Sequence, residues 1–361
     1  MTGARWRRPA HAPGAGRPAP PGPDEVLPAL SRALGAPQGQ DVGLSIVWQR
    51  LAGRSSIYVV RSPRPIDGHS AWVVKRPNMG WTQDDVDSPL GAHDEFVALQ
   101  RLHAHFSSTD VPVRVPTPVA FLPELDAFAM EYVSGGTVKD LLRYRSAAQP
   151  AVLLDALAAS GAFLRHLHAL ETLPVVQVDL KREADAVLEV AEEKLHPLGL
   201  ELPLSVRRTL TEFPRLAATS PQVWLHGDFG PSNILLATDG TTVGLDAALT
   251  GVGHREDDLV RYVALVAGVI RLAPEVVLPP VGAVRRRLES RLVDSYYQSA
   301  WPPLFELKLL HQLARRWCRL RELTQQHERG ALQSARQRVI GAQMRLLMVD
   351  SERRLARSVE G

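Results

Sequence analysis

The residues best suited to chemistry fall in one stretch, Trp224-Leu225-His226-Gly227-Asp228-Phe229-Gly230-Pro231-Ser232-Asn233-Ile234-Leu235-Leu236, followed after a turn by Val243-Gly244-Leu245-Asp246. An aspartate and an asparagine share a tight polar loop between apolar pieces, and a second aspartate ends the next piece. Phosphoryl transfer needs such a set. One carboxylate orients and deprotonates the attacking hydroxyl, while an amide and a second carboxylate hold divalent ions against the phosphates. His-Gly-Asp and Asp-Gly are also ordinary turn chemistry, but a plain turn has no need of Asn233 and Asp246 at these spacings.

A second set lies upstream. Ala71-Trp72-Val73-Val74-Lys75 ends a strand-like run with a lysine, and Glu95 follows within His93-Asp94-Glu95-Phe96. A lysine at a strand end can reach the α and β phosphates of a nucleotide, and a carboxylate on a packed helix can fix its ammonium. Glu95 is the expected partner and Asp94 its rival. Lys75, Glu95, Asp228, Asn233 and Asp246 occur in that order along the chain.

The elements that must position these residues follow from periodicity. Segments 44–51, 57–62 and 71–75 are short and rich in Val and Ile, as antiparallel strands are, and 116–122 and 127–132 resume that pattern. Segment 92–106 places Phe96, Leu99, Leu102 and Phe106 on one helical face. A short amphipathic helix is expected over 24–34. From residue 138 onward helices dominate, at 187–198, 206–216, 257–272, 281–300, 304–325 and 332–355, interrupted by short apolar pieces at 223–225, 234–236 and 243–245. The predicted fold class is α+β and bilobal: a small five-stranded antiparallel lobe with one helix over 24–133, and a large, mainly helical lobe over 134–361. Residues 1–23, rich in Pro, Gly, Ala and Arg, read as a disordered tail.

The 226–246 stretch resembles the HGDxxxxN loop and metal-binding aspartate of the aminoglycoside phosphotransferase and choline kinase group, distant relatives of the protein kinases. That resemblance implies a protein-kinase-like fold and transfer of the γ-phosphate of ATP or GTP to a hydroxyl of a small molecule. It makes Asp228 the catalytic base or hydroxyl-positioning group, and Asn233 and Asp246 the Mg2+ ligands. His226 and Asp258 support the catalytic loop. Lys75, Glu95 and the Gly53, Ser55 and Ser56 segment would bind the nucleotide phosphates, and Glu131 and Val133 would offer hinge backbone to the base. Ala247-Ala248 replace the Phe-Gly that follows this aspartate in protein kinases. The partners implied are a nucleotide and a small hydroxylated acceptor. His166 and His168 read as structural, and Glu256 and Asp257 as residues that complement the start of a helix.

Composition narrows the alternatives. Of 361 residues, 42 are Lys or Arg and 39 are Asp or Glu, leaving a net charge of +3, too weak a bias to suggest a nucleic-acid partner. The single cysteine, Cys318, excludes an internal disulfide framework. The apolar run 259–272 is too short for a membrane span and contains Arg261 and Arg271. A cytoplasmic protein is expected. Two rival classes are a catalytically silent nucleotide-binding module and a protein that docks through its arginine-rich final helices.

Overall fold

The computed structural model describes residues 21–35, 43–51, 55–77, 91–144, 150–269, 281–299, 301–327 and 331–360. Of the expected tail, residues 1–20 lie outside these. Pro21 is buried, its carbonyl accepts a hydrogen bond from the Tyr58 hydroxyl at 2.6 Å, and helix α1 (Pro23–Ala33) begins two residues later.

Strands β1 (Ser45–Arg50), β2 (Ser55–Ile66), β3 (His69–Pro77), β5 (Pro118–Leu122) and β6 (Ala127–Glu131) form an antiparallel sheet in the order β1-β2-β3-β6-β5. Its faces separate by alternation. Tyr58, Val60, Trp72, Val74, Ala127 and Ala129 meet Val26, Ala29 and Leu30 of α1 in a closed apolar cluster. The opposite face carries Ile57, Lys75 and Phe128, which are cross-strand neighbours. Helix α2 (Ala92–Ser107) packs there through Phe96. The helix expected over 24–34 thus covers the back of the sheet, leaving the front to the cleft.

The short β4 (Val113–Arg114) and β7 (Gly135–Thr137) belong to a second sheet, in the order β4-β11-β10-β7, built around the hairpin of β10 (Ile234–Ala237) and β11 (Thr242–Gly244). A third sheet joins β8 (Val175–Asp179), β9 (Ala217–Leu225) and β12 (Gly251–His254). Helices α3 (Val138–Tyr144), α4 (Pro150–His168), α5 (Leu180–Val190), α6 (Leu204–Thr211), α7 (Arg255–Val269), α8 (Val281–Tyr297), α9 (Pro303–His327) and α10 (Ala331–Glu360) complete the large lobe.

Several boundaries differ from expectation for local reasons. Helix α5 starts at Leu180 rather than 187, because the Asp179 carboxylate caps it by accepting from the Lys181 and Arg182 amides at 3.0 and 3.3 Å. Helix α6 stops at Thr211 instead of 216, as Pro214 disfavours helical backbone at Phe213. The expected three-residue piece at 223–225 is the end of the nine-residue β9. Among the described residues no helix is long and apolar enough to cross a membrane.

The main core runs from α2 to α10, and an aromatic column crosses it beneath the 226–246 stretch. Phe106 stacks on Phe163 at 5.0 Å, Phe163 lies 6.3 Å from Phe229, and Phe229 packs 4.8 Å from Tyr262. Gly244 lets this column reach the β10–β11 hairpin, since a Cβ there would fall 2.0 Å from the Phe163 ring. Gly244→Ala should therefore destabilise the protein by about 1–3 kcal/mol through overpacking. Denaturant unfolding measures it, and an unchanged midpoint would show that the ring can yield.

Candidate active site

Lys75 sits near the end of β3 with its side chain only 8% exposed, beneath the sheet's front face. Its Nζ donates to Glu95 Oε2 at 2.7 Å and to Asp246 Oδ1 at 3.0 Å. Glu95 opens α2 and faces inward, whereas the rival Asp94 is 63% exposed beside His93. Glu95 is thus the partner. Burial opposes the charge on Lys75, but Asp246 and Glu95 outweigh it and lift the ammonium pKa well above its ordinary value. The Lys75 charge in turn holds the Asp246 carboxyl below the usual range.

Asp246 follows β11 with φ at 57°, in the left-handed region that aspartate tolerates better than most residues. The turn aims its carboxylate at Lys75. The preceding residue ties it to the loop that holds Asp228, because the Leu245 amide donates to the Asn233 carbonyl at 2.7 Å. The Asn233 side-chain amide donates to the Asp228 carbonyl oxygen at 2.8 Å and lies 3.4 Å from Asp228 Oδ2. Asn233 Oδ1 and the Asp246 carboxylate are hard oxygen donors, a set that suits Mg2+ completed by water and phosphate.

The loop holding Asp228 is braced from α7. The Asp258 carboxylate accepts from the His226 amide at 2.7 Å and the Gly227 amide at 3.2 Å, and contacts His168 Nε2 at 3.2 Å. His168 Nδ1 meets the Tyr296 hydroxyl at 2.7 Å, so this histidine is a structural strut. His166 contributes its main-chain carbonyl, which accepts from His105 Nε2 at 2.9 Å. The His226 ring is fully buried between Phe163 and Phe229. Gly227 has φ at 83°, and a Cβ there would lie 2.3 Å from Thr250 Oγ1, so no other residue fits beside Asp228 without displacement. Glu256 is buried against Ser220, Tyr297 and Arg255, and Asp257 accepts from the His254 amide and Lys308.

The residues expected to bind nucleotide divide. Ser55 shares the sheet face of Ile57 and Lys75, while Ser56, by alternation, lies on the opposite face, so only its backbone could address a phosphate. Gly53 lies outside the described residues. The Glu131 side chain is occupied, forking to Arg114 at 2.7 and 3.0 Å and accepting from Thr117. Its amide donates to the Thr117 carbonyl, so its carbonyl is what it can offer a base. Val133, two residues further on, is partly buried. Between the hinge and Lys75 a cavity is lined by Leu99, Val115, Pro116, Phe128, Met130 and Ala247.

Three residues at the site escaped the sequence reading. Trp48 and Arg50 share the face of Lys75 through the pairs Trp48 to Val59 and Arg50 to Ile57. The Arg50 charge also helps depress Asp246. Arg261 of α7 reaches Asp228 Oδ1 at 2.5 Å. Alternation in β1 could have flagged the first two.

Two histidines make stability depend on pH. Burial lowers the pKa of His226, and burial together with Arg315 and Lys308 lowers that of His311 to about 4. Both are neutral when folded and accept protons at ordinary values when unfolded, so stability should be complete above about pH 6.5 and decline as pH falls toward 4. Melting temperatures measured across this window should drop. His311→Gln should flatten the fall, and an unaltered slope would remove His311 from the account.

A family model described as the phosphotransferase enzyme family matches residues 51–278. The chain belongs to that family. Among curated protein sequences none matches significantly. Two solved structures share the fold of this phosphotransferase. One is an aminoglycoside phosphotransferase from Alicyclobacillus acidocaldarius subsp. acidocaldarius DSM 446, with 13% identity, a TM-score of 0.51 and coverage of 87% of this chain and 93% of the other. The other is a glucosamine kinase in complex with glucosamine, ADP and inorganic phosphate, with 16% identity, a TM-score of 0.51 and coverage of 88% and 83%. The expected α+β, bilobal, protein-kinase-like fold is the one found, and the protein is a phosphotransferase acting on small molecules.

Proposed function

We propose that this phosphotransferase moves the γ-phosphate of ATP or GTP to a hydroxyl of an aminoglycoside, another antibiotic, a sugar or an amino alcohol, with Asp228 as the catalytic residue. The observation that carries the reading is the meeting of Lys75, Glu95 and Asp246 from both lobes beside a loop holding Asp228 and Asn233. The glucosamine kinase of similar fold, solved with ADP, supports the use of a nucleotide.

Lys75 steadies the α and β phosphates, and Glu95 keeps its ammonium in place. Asn233 Oδ1 and Asp246 would hold Mg2+, which when bound neutralises phosphate charge. The base would lie in the cavity beside Met130, hydrogen-bonded to the Glu131 carbonyl and the Val133 amide. Ser55 and the Ser56 backbone would approach the phosphates from β2, and Gly53 is proposed to join them. Asp228 takes the proton of the acceptor hydroxyl as its oxygen attacks in line, and most of the rate comes from positioning and charge neutralisation. His226 and Asp258 hold that loop still. A cytoplasmic setting suits an enzyme that spends nucleoside triphosphates and has one buried thiol.

The Arg261 guanidinium beside Asp228 favours neutral or anionic acceptors over polycations, because it adds positive charge where the hydroxyl must sit. The test is magnesium-dependent ADP release with a panel of hydroxylated metabolites and antibiotics. Stimulation by one class above the acceptor-free rate is expected. Tight nucleotide binding with no transfer to any acceptor or to water would instead identify a silent binding module.

A further inference from the structure

We infer that Arg261 is a positioning residue for phosphoryl transfer, fixing the carboxylate of Asp228 so that one oxygen alone is offered to the acceptor hydroxyl; this rests on the function proposed above. Asp258 and Arg261 lie three residues apart on α7, hence on one face of that helix. They divide the catalytic loop between them. Asp258 accepts from the His226 and Gly227 amides, whereas Arg261 donates from Nη1 to the Gly227 carbonyl at 3.0 Å and from Nη2 to Asp228 Oδ1 at 2.5 Å. The two Arg261 donors thus fix both the peptide before the catalytic residue and its side-chain rotamer.

The other carboxylate oxygen is left comparatively free. Among the described residues Asp228 Oδ2 has only the 3.4 Å approach of the Asn233 amide, whose shorter bond goes to the Asp228 main-chain carbonyl. With the Asp228 side chain half exposed, Oδ2 is the atom that can receive the hydroxyl proton. The same proton moves from the acceptor oxygen to Oδ2 as that oxygen bonds to phosphorus and the bridging oxygen leaves with the nucleoside diphosphate. Without the fork, Asp228 could rotate and present either oxygen at varying angles, losing the alignment on which the step depends.

The experiment compares the parent with R261A, R261K and D228N. It measures magnesium-dependent ADP release from ATP, with water as acceptor and with the best acceptor of the panel, together with ADP affinity and melting temperature. R261A should lower kcat by about 100-fold, with ATP KM and ADP affinity within about twofold of the parent. R261K should recover only part of the rate, because an ammonium cannot reproduce the planar fork that serves two acceptors. Guanidinium ion added to R261A should restore activity, and should do nothing for D228N. An R261A kcat equal to that of an active parent overturns the proposal alone. So does a loss shared by KM, ADP affinity and melting temperature with no guanidinium rescue, since that assigns Arg261 to folding. A parent that releases no ADP with water or any acceptor overturns the functional reading, and this inference with it.

Discussion

Asp228→Asn should cut turnover by about a thousandfold while leaving the affinity for magnesium nucleotide unchanged. The replacement keeps the size and shape of the side chain, and its amide oxygen can still accept from Arg261, so the loop should stay in place. Lys75 bonds to Asp246 and to Glu95 and not to Asp228, so their arrangement would be undisturbed. Only the capacity to take a proton is lost. Single-turnover transfer and equilibrium nucleotide binding separate the two quantities. A variant that turns over like the parent would take the base assignment away from Asp228.

The second large effect concerns Asp246. Its carboxylate accepts from Lys75, and the neighbouring Leu245 amide ties the same turn to the Asn233 carbonyl. Asp246→Ala should lower nucleotide affinity measured with magnesium by about 100-fold. Without magnesium the variant should bind nucleotide at least as well as the parent, since a negative charge facing the phosphates has gone and Lys75 keeps Glu95 at 2.7 Å. The sign of the magnesium effect is therefore diagnostic. Equal losses with and without magnesium would show that Asp246 only holds Lys75 in position.

Why some of this was legible in the sequence and some not is a matter of distance along the chain. The stretch from His226 to Asp246 concentrates its polar groups within one hairpin, so residue types and spacing expose the chemistry before any fold is known. Lys75 and Glu95 are isolated, yet each ends or opens an element that periodicity locates, and their order fits one topology. Arg261 had no such signal: on an amphipathic helix an arginine looks like any solvated residue, and only tertiary packing brings it to Asp228. The missed strands fail for a different reason. β12 reads Gly-Val-Gly-His, without alternation, and exists because β9 offers it an edge, while β4 holds two residues and pairs in parallel with β11. Tertiary context decides such segments.

The apolar face of α2 has a consequence for where the molecule can be divided. Connectivity places this helix with the small lobe, but Phe96, Leu99, Leu102 and Phe106 belong to the core that continues to α10, apart from the closed cluster beneath α1. Severing the chain at the hinge would cut through buried hydrocarbon instead of a linker. The amino-terminal fragment would be left with a greasy flank, and the carboxy-terminal one with a gap where Phe106 had filled the end of the aromatic column. The two halves are separate in topology and inseparable in solubility.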